Sequence, residues 1–118
     1  MSYIDGFVTP VPAANRDRYI DYARQAWAGF RKAGATRFVE CWGDDVPEGV
    51  HTSFPMAVKR EGDEVVVFSW IEWPDKATRD ACFAGMRDNP DFAILGEMPL
   101  DGRRMIFGGF LPILDETA

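Results

Sequence analysis

Val65–Trp73 has the sequence VVVFSWIEW, and this stretch decides the fold. It combines β-branched and aromatic residues, the types that favour strands. Apolar side chains occupy both odd and even positions, and only Ser69 and Glu72 are polar. Because successive side chains of a strand point to opposite faces, both faces of this strand carry apolar groups. We therefore expect a strand that is covered on both sides.

Three further segments have strand character. The first is stopped by prolines, the second ends at a glycine, and the last contains a glycine pair that favours a β-bulge or a close backbone approach. They are Tyr3–Val11, Thr36–Gly43 and Arg103–Leu114. A short extended piece is also predicted at Met56–Lys59, after the loop DDVPEGVHTSFP.

Two helices lie between these strands. The first follows Asn15, which can cap it, and carries an apolar stripe at helical spacing: Tyr19, Ala23, Ala26 and Phe30. The second begins after Pro74 with Asp75 as the predicted N-cap and stops at Asn89–Pro90. One helical turn is predicted at Phe92–Leu95.

The order of elements is therefore β-α-β-β-α-β over a single domain, residues 1–118. This order is typical of the α+β class with a ferredoxin-like fold, an antiparallel sheet with both helices on one face. Such a sheet leaves its other face bare. Since the third strand is apolar on both faces, we predict a homodimer in which two sheets pack together into a barrel-like core, a dimeric α+β barrel.

Composition narrows the range of partners. The formal charge of −6 and the pI near 4.7 argue against nucleic acid and against an anionic membrane surface. The N-terminal residues lack the pattern of a signal peptide, and no apolar run is long enough to span a membrane, so we expect a cytoplasmic protein. Cys41 and Cys82 are expected to be buried free thiols.

Five segments are similar to a known family. They run in order along nearly the whole chain: YIDGFV, VPAANRDRY, GATRFVECWGDDVPEG, VVVFSWIEWPDKATRDA and MPLDGRRMIFGGF. The chain resembles the DUF1428 family of small bacterial proteins. The resemblance implies a dimeric α+β barrel, in the fold superfamily of the antibiotic-biosynthesis monooxygenases and haem-degrading enzymes. It implies no activity and supplies no catalytic residues, and an RNA-related role finds no support in the acidic composition.

The acidic loop after the second strand is a candidate metal site. Asp44, Asp45 and His51 offer oxygen and nitrogen ligands, but their spacing matches no known calcium loop and Pro47 interrupts the run. A capped, solvated turn is the preferred interpretation, and no metal is predicted. His51 is the sole histidine, so any Ser–His or Cys–His catalysis would have to use it.

Acids within the apolar strands form a second candidate. Asp5, Glu40 and Glu72 lie on three different strands, and Arg103 and Arg104 begin the fourth. Buried charges are rarely unpaired, so the structural interpretation is a carboxylate–arginine network. The functional alternative is a carboxyl group with a raised pKa in a pocket, available for proton transfer.

Two hypotheses of function follow. The first is a small-molecule-binding protein, or an enzyme without a tightly bound cofactor, with a pocket between sheet and helices. Its predicted polar groups are Glu40, His51, Glu72 and Arg104, and its predicted walls are Trp42 and Trp70. The second is a structural or interaction module without a pocket. No nucleotide-binding motif occurs, so no cofactor is predicted.

Overall fold

A four-stranded antiparallel sheet forms the centre of the protein. The computed structural model describes residues 2–118. The strands lie in the order β2-β3-β1-β4, so that β1 pairs with both β3 and β4 while β2 and β4 are the edges. Their bounds are β1 Tyr3–Pro12, β2 Arg37–Trp42, β3 Glu64–Trp73 and β4 Ile106–Phe110. The predicted ferredoxin-like fold is confirmed.

Four α-helical segments connect the strands: α1 Arg16–Lys32, α2 Phe54–Ala57, α3 Lys76–Gly85 and α4 Pro90–Ala93. Three single 3₁₀ turns lie at Ala13–Asn15, Met86–Asp88 and Gly102–Arg104. Asp75 caps α3 as predicted, because its carboxylate accepts a hydrogen bond from the Thr78 amide at 2.7 Å. Asn15 precedes α1, but its side chain does not cap that helix. Its amide group donates instead to the Pro99 carbonyl at 3.0 Å.

The register of the sheet divides the side chains between two faces. On β3, Ser69 and Trp73 point to the side on which α1 and α3 pack, which we call the helix face. Phe68, Trp70 and Glu72 alternate with them and point to the other side, the open face. On β2, Glu40 pairs with Ser69 and Trp42 pairs with Val67. Because paired residues of neighbouring strands point to the same side, Glu40 and Trp42 both lie on the helix face.

Trp73 is the centre of the helix-face core. It has no exposed surface, and its ring packs edge-on against Phe30 of α1 and Phe83 of α3. Its indole nitrogen donates to Asp5, 2.8 Å away. A buried indole N–H usually needs a hydrogen-bond acceptor, and Asp5 supplies it, so that this tryptophan can fill the core.

Asp5 is itself almost fully buried, and Arg79 of α3 neutralises it. The guanidinium approaches the carboxylate through Nε at 3.1 Å and Nη2 at 2.8 Å, while its central carbon lies over the rings of Tyr3 and Phe83, at 5.3 and 4.8 Å from their centres. The predicted carboxylate–arginine network therefore exists for Asp5. Its partner, however, is a helix arginine and not Arg103 or Arg104.

The open face is apolar and largely uncovered in a single chain. Phe68 is 45% exposed and Phe110 is 61% exposed. These side chains border a shallow apolar depression of about 600 Å³, together with Ile4, Val8, Trp70 and Ile106. The segment around α2 covers one end, where the Phe54 ring packs edge-on against Phe68.

Besides the Asn15 cap, three local predictions were wrong. Met56–Lys59 is not extended, because Ser53 caps a helical turn that begins at Phe54. Arg103 and Arg104 do not begin β4, since Asp101 caps a 3₁₀ turn there and the strand starts at Ile106. Cys41 is exposed because it points to the open face of an edge strand, whereas Cys82 is buried.

Candidate functional site

A cavity of about 460 Å³ lies between the helix face of the sheet and the helices. Its floor is formed by strand residues, its roof by α1, and its far wall by the segment from Met86 to Met105. Most of the lining is aromatic or aliphatic, including Phe7, Phe30, Phe38, Phe92 and Leu100. A concave, mainly apolar site with a few polar groups is the usual form of a small-molecule site.

Glu40 and Tyr19 supply the polar centre of this cavity. The Tyr19 hydroxyl donates to Glu40 Oε1 at 2.6 Å, a short bond of the kind made to a charged acceptor. Tyr19 belongs to the apolar stripe of α1 and is buried, while Glu40 faces it from the edge strand β2. Ser69 lies directly opposite Glu40 on β3 and also hydrogen-bonds to it.

Burial changes the acidity of both groups. Loss of solvation raises the pKa of Glu40 from its ordinary value of 4.5 to about 7, although hydrogen bonds from Tyr19 and Ser69 act in the opposite direction. Burial, together with the negative charge of Glu40, also raises the pKa of Tyr19. The Glu40 carboxyl group can therefore accept or release a proton near neutral pH, while Tyr19 remains a hydrogen-bond donor.

A second groove reaches Glu40 from outside the sheet. It runs between α1 and the edge strand β2, has a volume of about 500 Å³, and shares Ala23, Phe38 and Glu40 with the cavity. Trp27 lines it from α1. The Trp27 and Phe38 rings lie 6.3 Å apart, so the outer part of the groove has an aromatic wall. Glu40 thus borders both spaces.

The six residues predicted for the pocket are not brought together. Glu40 alone lines the cavity between sheet and helices. Trp42 shares its face of the sheet but packs under Arg16, whose guanidinium lies 5.7 Å from the ring centre, and against the cluster of Val11, Tyr19 and Val67.

Trp70 and Glu72 lie on the opposite, open face. The Trp70 indole donates to Glu72 at 2.9 Å, and Arg37 approaches the same carboxylate oxygen at 3.4 Å. The prediction that these two residues belong with Glu40 in one pocket was wrong, because residues 40 and 72 point to different sides of the sheet. That relationship depends on strand register, which the sequence does not reveal.

Arg104 and His51 are also separate from Glu40. Arg104 forms a two-pronged ion pair with Glu64, at 2.7 and 2.6 Å, and donates to Asp101 at 3.1 Å. These bonds attach the turn before β4 to the start of β3. His51 is exposed in the loop that precedes α2.

The acidic loop after β2 shows no metal-binding cluster. Among residues 2–118, no group of three or more His, Cys, Asp or Glu side chains is arranged to hold a metal ion. The helices described for the same residues include none with the length and hydropathy needed to cross a membrane.

Sequence reasoning missed the functional importance of two residues that contact Glu40. Tyr19 was assigned only to the apolar stripe of α1, and Ser69 was noted only as a polar interruption of β3. A signal was present in each case, because a buried tyrosine hydroxyl and a serine in an apolar strand both need a hydrogen-bonding partner.

The similarity to known proteins extends over the whole chain. The family described as "Protein of unknown function (DUF1428)" matches residues 2–102. The chain belongs to the DUF1428 family. The uncharacterized protein YbaA of Escherichia coli strain K12 is 53% identical over 117 residues, which cover 98% of this chain and all of YbaA. YbaA of Shigella flexneri matches to the same extent.

Two solved structures share the fold of this DUF1428 protein. SnoaB of Streptomyces nogalater, a cofactor-independent oxygenase, matches with a TM-score of 0.60 and 16% identity, covering 97% of this chain and 95% of SnoaB. A dimeric ferredoxin-like protein from an uncultured marine organism has a TM-score of 0.60 and 15% identity, covering 98% of this chain and 100% of its own. At these identities the likeness concerns the fold alone.

Proposed function

We propose that the cavity between sheet and helices binds a small, flat, largely apolar molecule and that Glu40 exchanges a proton with it. The observation that carries this proposal is a single carboxyl group, bonded to Tyr19 at 2.6 Å, in a mainly aromatic and aliphatic cavity. Burying an ionised acid costs stability unless a partner compensates its charge. Here the hydrogen-bond partners are two neutral hydroxyl groups, and among residues 2–118 Glu40 forms no ion pair, although Arg87 also lines the cavity.

The chemistry available to Glu40 is general acid–base catalysis. A carboxylate with a pKa of about 7 is a stronger base than an ordinary glutamate and is still substantially ionised at neutral pH. It can take the proton from a phenolic O–H or from an acidic C–H beside a carbonyl. Tyr19 holds the carboxylate in place through its hydroxyl group, and the surrounding aromatic walls reduce the contact of the carboxylate with water.

An oxygenase reaction without a cofactor is one outcome of such a proton transfer. Removal of a proton from an electron-rich aromatic substrate leaves an anion, and that anion is the form that transfers an electron to molecular oxygen most readily. SnoaB, which shares the fold, is a cofactor-independent oxygenase. This neighbour supports the reaction class as a proposal, and the cavity supplies its minimal requirements: an apolar space and one base.

We further propose that the working unit is a homodimer joined through the open face. Packing two such faces together would remove Phe68, Trp70 and Phe110 from water, in accordance with the rarity of large exposed apolar patches on monomers. One structural neighbour is itself dimeric. Because the open face and the cavity are on opposite sides of the sheet, this arrangement leaves both cavities accessible.

The experiment measures binding and oxygen consumption together. Purified protein is mixed with 2-naphthol or 1,4-dihydroxynaphthalene, and the melting temperature and the rate of oxygen uptake are recorded. We expect a raised melting temperature, because a ligand of the folded state stabilises it. We also expect oxygen uptake above the uncatalysed rate. Glu40→Gln should abolish the uptake, whereas Glu72→Gln, the same change on the open face, should not.

The alternative function is an interaction module that acts only through its open face. The observation that favours it is the size of the apolar depression on that face, which exceeds that of the cavity. A protein that binds neither compound, and whose Glu40→Gln variant behaves like the wild type in every assay, would be this module.

A further inference from the structure

The groove between α1 and the edge strand β2 carries positive charge at its rim. Arg24 of α1 lines it, beside the aromatic wall of Trp27 and Phe38. Arg37 of β2 also borders it, but the Arg37 side chain is directed to the open face, where it approaches Glu72 at 3.4 Å. Glu40, at its inner end, is its sole acidic lining residue. The groove therefore changes along its length from a cationic rim, through an aromatic wall, to a carboxyl group.

The Arg24 guanidinium is not neutralised by the protein. Among residues 2–118, Arg24 makes no ion pair, although the chain has 19 acids and a net charge of −6. In contrast, Arg79 and Arg104 are held by contacts of 2.8 Å or less. Arg24 thus retains donors for an outside anion.

We infer that the ligand is an aromatic carboxylate that reaches Glu40 through this groove, with its ring against Trp27 and Phe38 and its carboxylate bound to Arg24. This inference rests on the proposed function, since it places the acidic hydrogen of the same molecule at Glu40. Arginine suits the role because its planar group can bind a carboxylate with two parallel hydrogen bonds. The groove, at about 500 Å³, is within the usual range for small-molecule sites.

The charge on Glu40 is compatible with such a ligand. A fully ionised acid at the inner end would repel an anion, but burial keeps Glu40 protonated in part of the molecules at neutral pH. A ligand with a positive charge, such as an amine, would be repelled by the arginine at the rim. An uncharged aromatic molecule would leave Arg24 without a partner.

The test uses three matched compounds. In 6-hydroxy-2-naphthoate the hydroxyl and the carboxylate are at opposite ends of the ring system, 6-hydroxy-2-naphthamide replaces the carboxylate with a neutral group of similar shape, and 2-naphthol lacks it. Dissociation constants are measured by titration calorimetry at pH 7 and low ionic strength. The wild type should bind the carboxylate about tenfold more tightly than the amide, as expected for one exposed charge-assisted contact.

Variants identify the residue responsible. Arg24→Gln should remove the preference for the carboxylate while leaving the affinity for 2-naphthol unchanged. Arg37→Gln, which alters a side chain directed to the open face, should retain the preference. Arg31→Gln, a matched change at the end of α1 outside the groove, should retain it. Arg87→Gln should retain it as well, because Arg87 lines the other side of the cavity.

Each contrary result has a distinct meaning. Equal affinity for carboxylate and amide in the wild type would overturn the inference and leave the proposed function intact. A preference that survives in Arg24→Gln, or that disappears in Arg87→Gln instead, would also overturn it. If none of the three compounds bound, the proposed function would fail together with the inference.

Discussion

Tyr19 and Glu40 are 21 residues apart in the chain, and their side-chain oxygens are 2.6 Å apart in the fold. The bond joins the first long helix to the edge strand that follows it. It joins a hydroxyl group to a carboxyl group, and among residues 2–118 neither side chain forms an ion pair, unlike the buried pair of Asp5 and Arg79. The same sheet thus contains one acid, Asp5, that is paired with an arginine, and a second, Glu40, that can accept or release a proton near neutral pH.

Replacement of Tyr19 by phenylalanine should raise the pKa of Glu40 further above about 7. The hydroxyl donates to the ionised form and so stabilises it; its removal favours the protonated form. Carbon-13 NMR titration of the glutamate carboxyl groups measures the change. Tyr22 lines the same cavity but makes no hydrogen bond to Glu40, so Tyr22→Phe should leave the pKa of Glu40 unchanged. An unchanged pKa in Tyr19→Phe would show that the hydrogen bond does not stabilise the carboxylate.

Glu40→Gln should stabilise the protein increasingly as the pH rises. The folded-state pKa of Glu40 is about 7 and its ordinary value is 4.5, so between these pH values the folded protein binds more protons than the unfolded chain. Stability contributed by this group therefore falls as pH rises through that interval. Urea unfolding across the pH range should show a difference in the free energy of unfolding between variant and wild type that widens from pH 4.5 to about 7 and then stays constant. A difference independent of pH would contradict the raised pKa.

Asp5→Ala should lower the free energy of unfolding by about 3 kcal/mol, since it leaves the Arg79 guanidinium and the Trp73 indole N–H without their buried acceptor. Denaturant unfolding measures the loss. The matched control is Asp80→Ala: Asp80 also contacts Arg79, at 3.0 Å, but its side chain is 46% exposed. This control should change stability little, because solvent replaces an exposed partner. Equal losses of unfolding free energy in the two variants would mean that burial does not determine how much Asp5 stabilises the fold.

Gly109→Ala and Gly108→Ala should have different effects although the residues are neighbours. A Cβ at Gly109 would collide with the Tyr3 ring on the helix face, and this overpacking should cost about 1–3 kcal/mol. A Cβ at Gly108 would point to the open face and meet the Phe110 ring at 3.5 Å, an ordinary contact. Thermal unfolding of both variants tests the difference. Similar melting temperatures would contradict the assigned register of β4.

Phe68→Glu should convert a dimer into monomers. A charge at the centre of the open face would have to be buried without a partner if two sheets packed together. Native mass spectrometry should give twice the 13.3 kDa chain mass for the wild type and a single chain for the variant. Ile94→Glu, at a residue that is 74% exposed outside the open face, should remain dimeric. A monomeric wild type would overturn the proposed dimer.

Much of the fold follows from patterns that the chain displays locally. The alternation along Tyr3–Pro12, the stripe through Tyr19 and the capping aspartate before α3 each depend on a few neighbouring residues. The placement of Glu40 and Trp42 on one face followed from the period of two in a strand, and the register confirms it.

The rest depends on distances that a linear sequence does not contain. Glu40 and Glu72 looked equivalent as acids within apolar strands, yet they point to opposite sides of one sheet. The partner of Asp5 lies 74 residues away on a helix, whereas Arg103 and Arg104 both donate to Asp101 at the turn before β4. Cavities are likewise formed by several elements at once, so that Tyr19, Ser69 and Glu40 could be assigned to one site only after the strands were aligned.

The central position of β1 has a consequence for synthesis on the ribosome. The first ten-residue strand to emerge pairs with β3, at residues 64–73, and with β4, at residues 106–110. One edge of β1 therefore stays unpaired until residue 73 has been synthesised and the other until residue 110, and contacts between distant segments form slowly. The nascent chain is consequently exposed to mispairing until β4 has emerged, and strand β1, with prolines at its end, is the segment that needs protection longest.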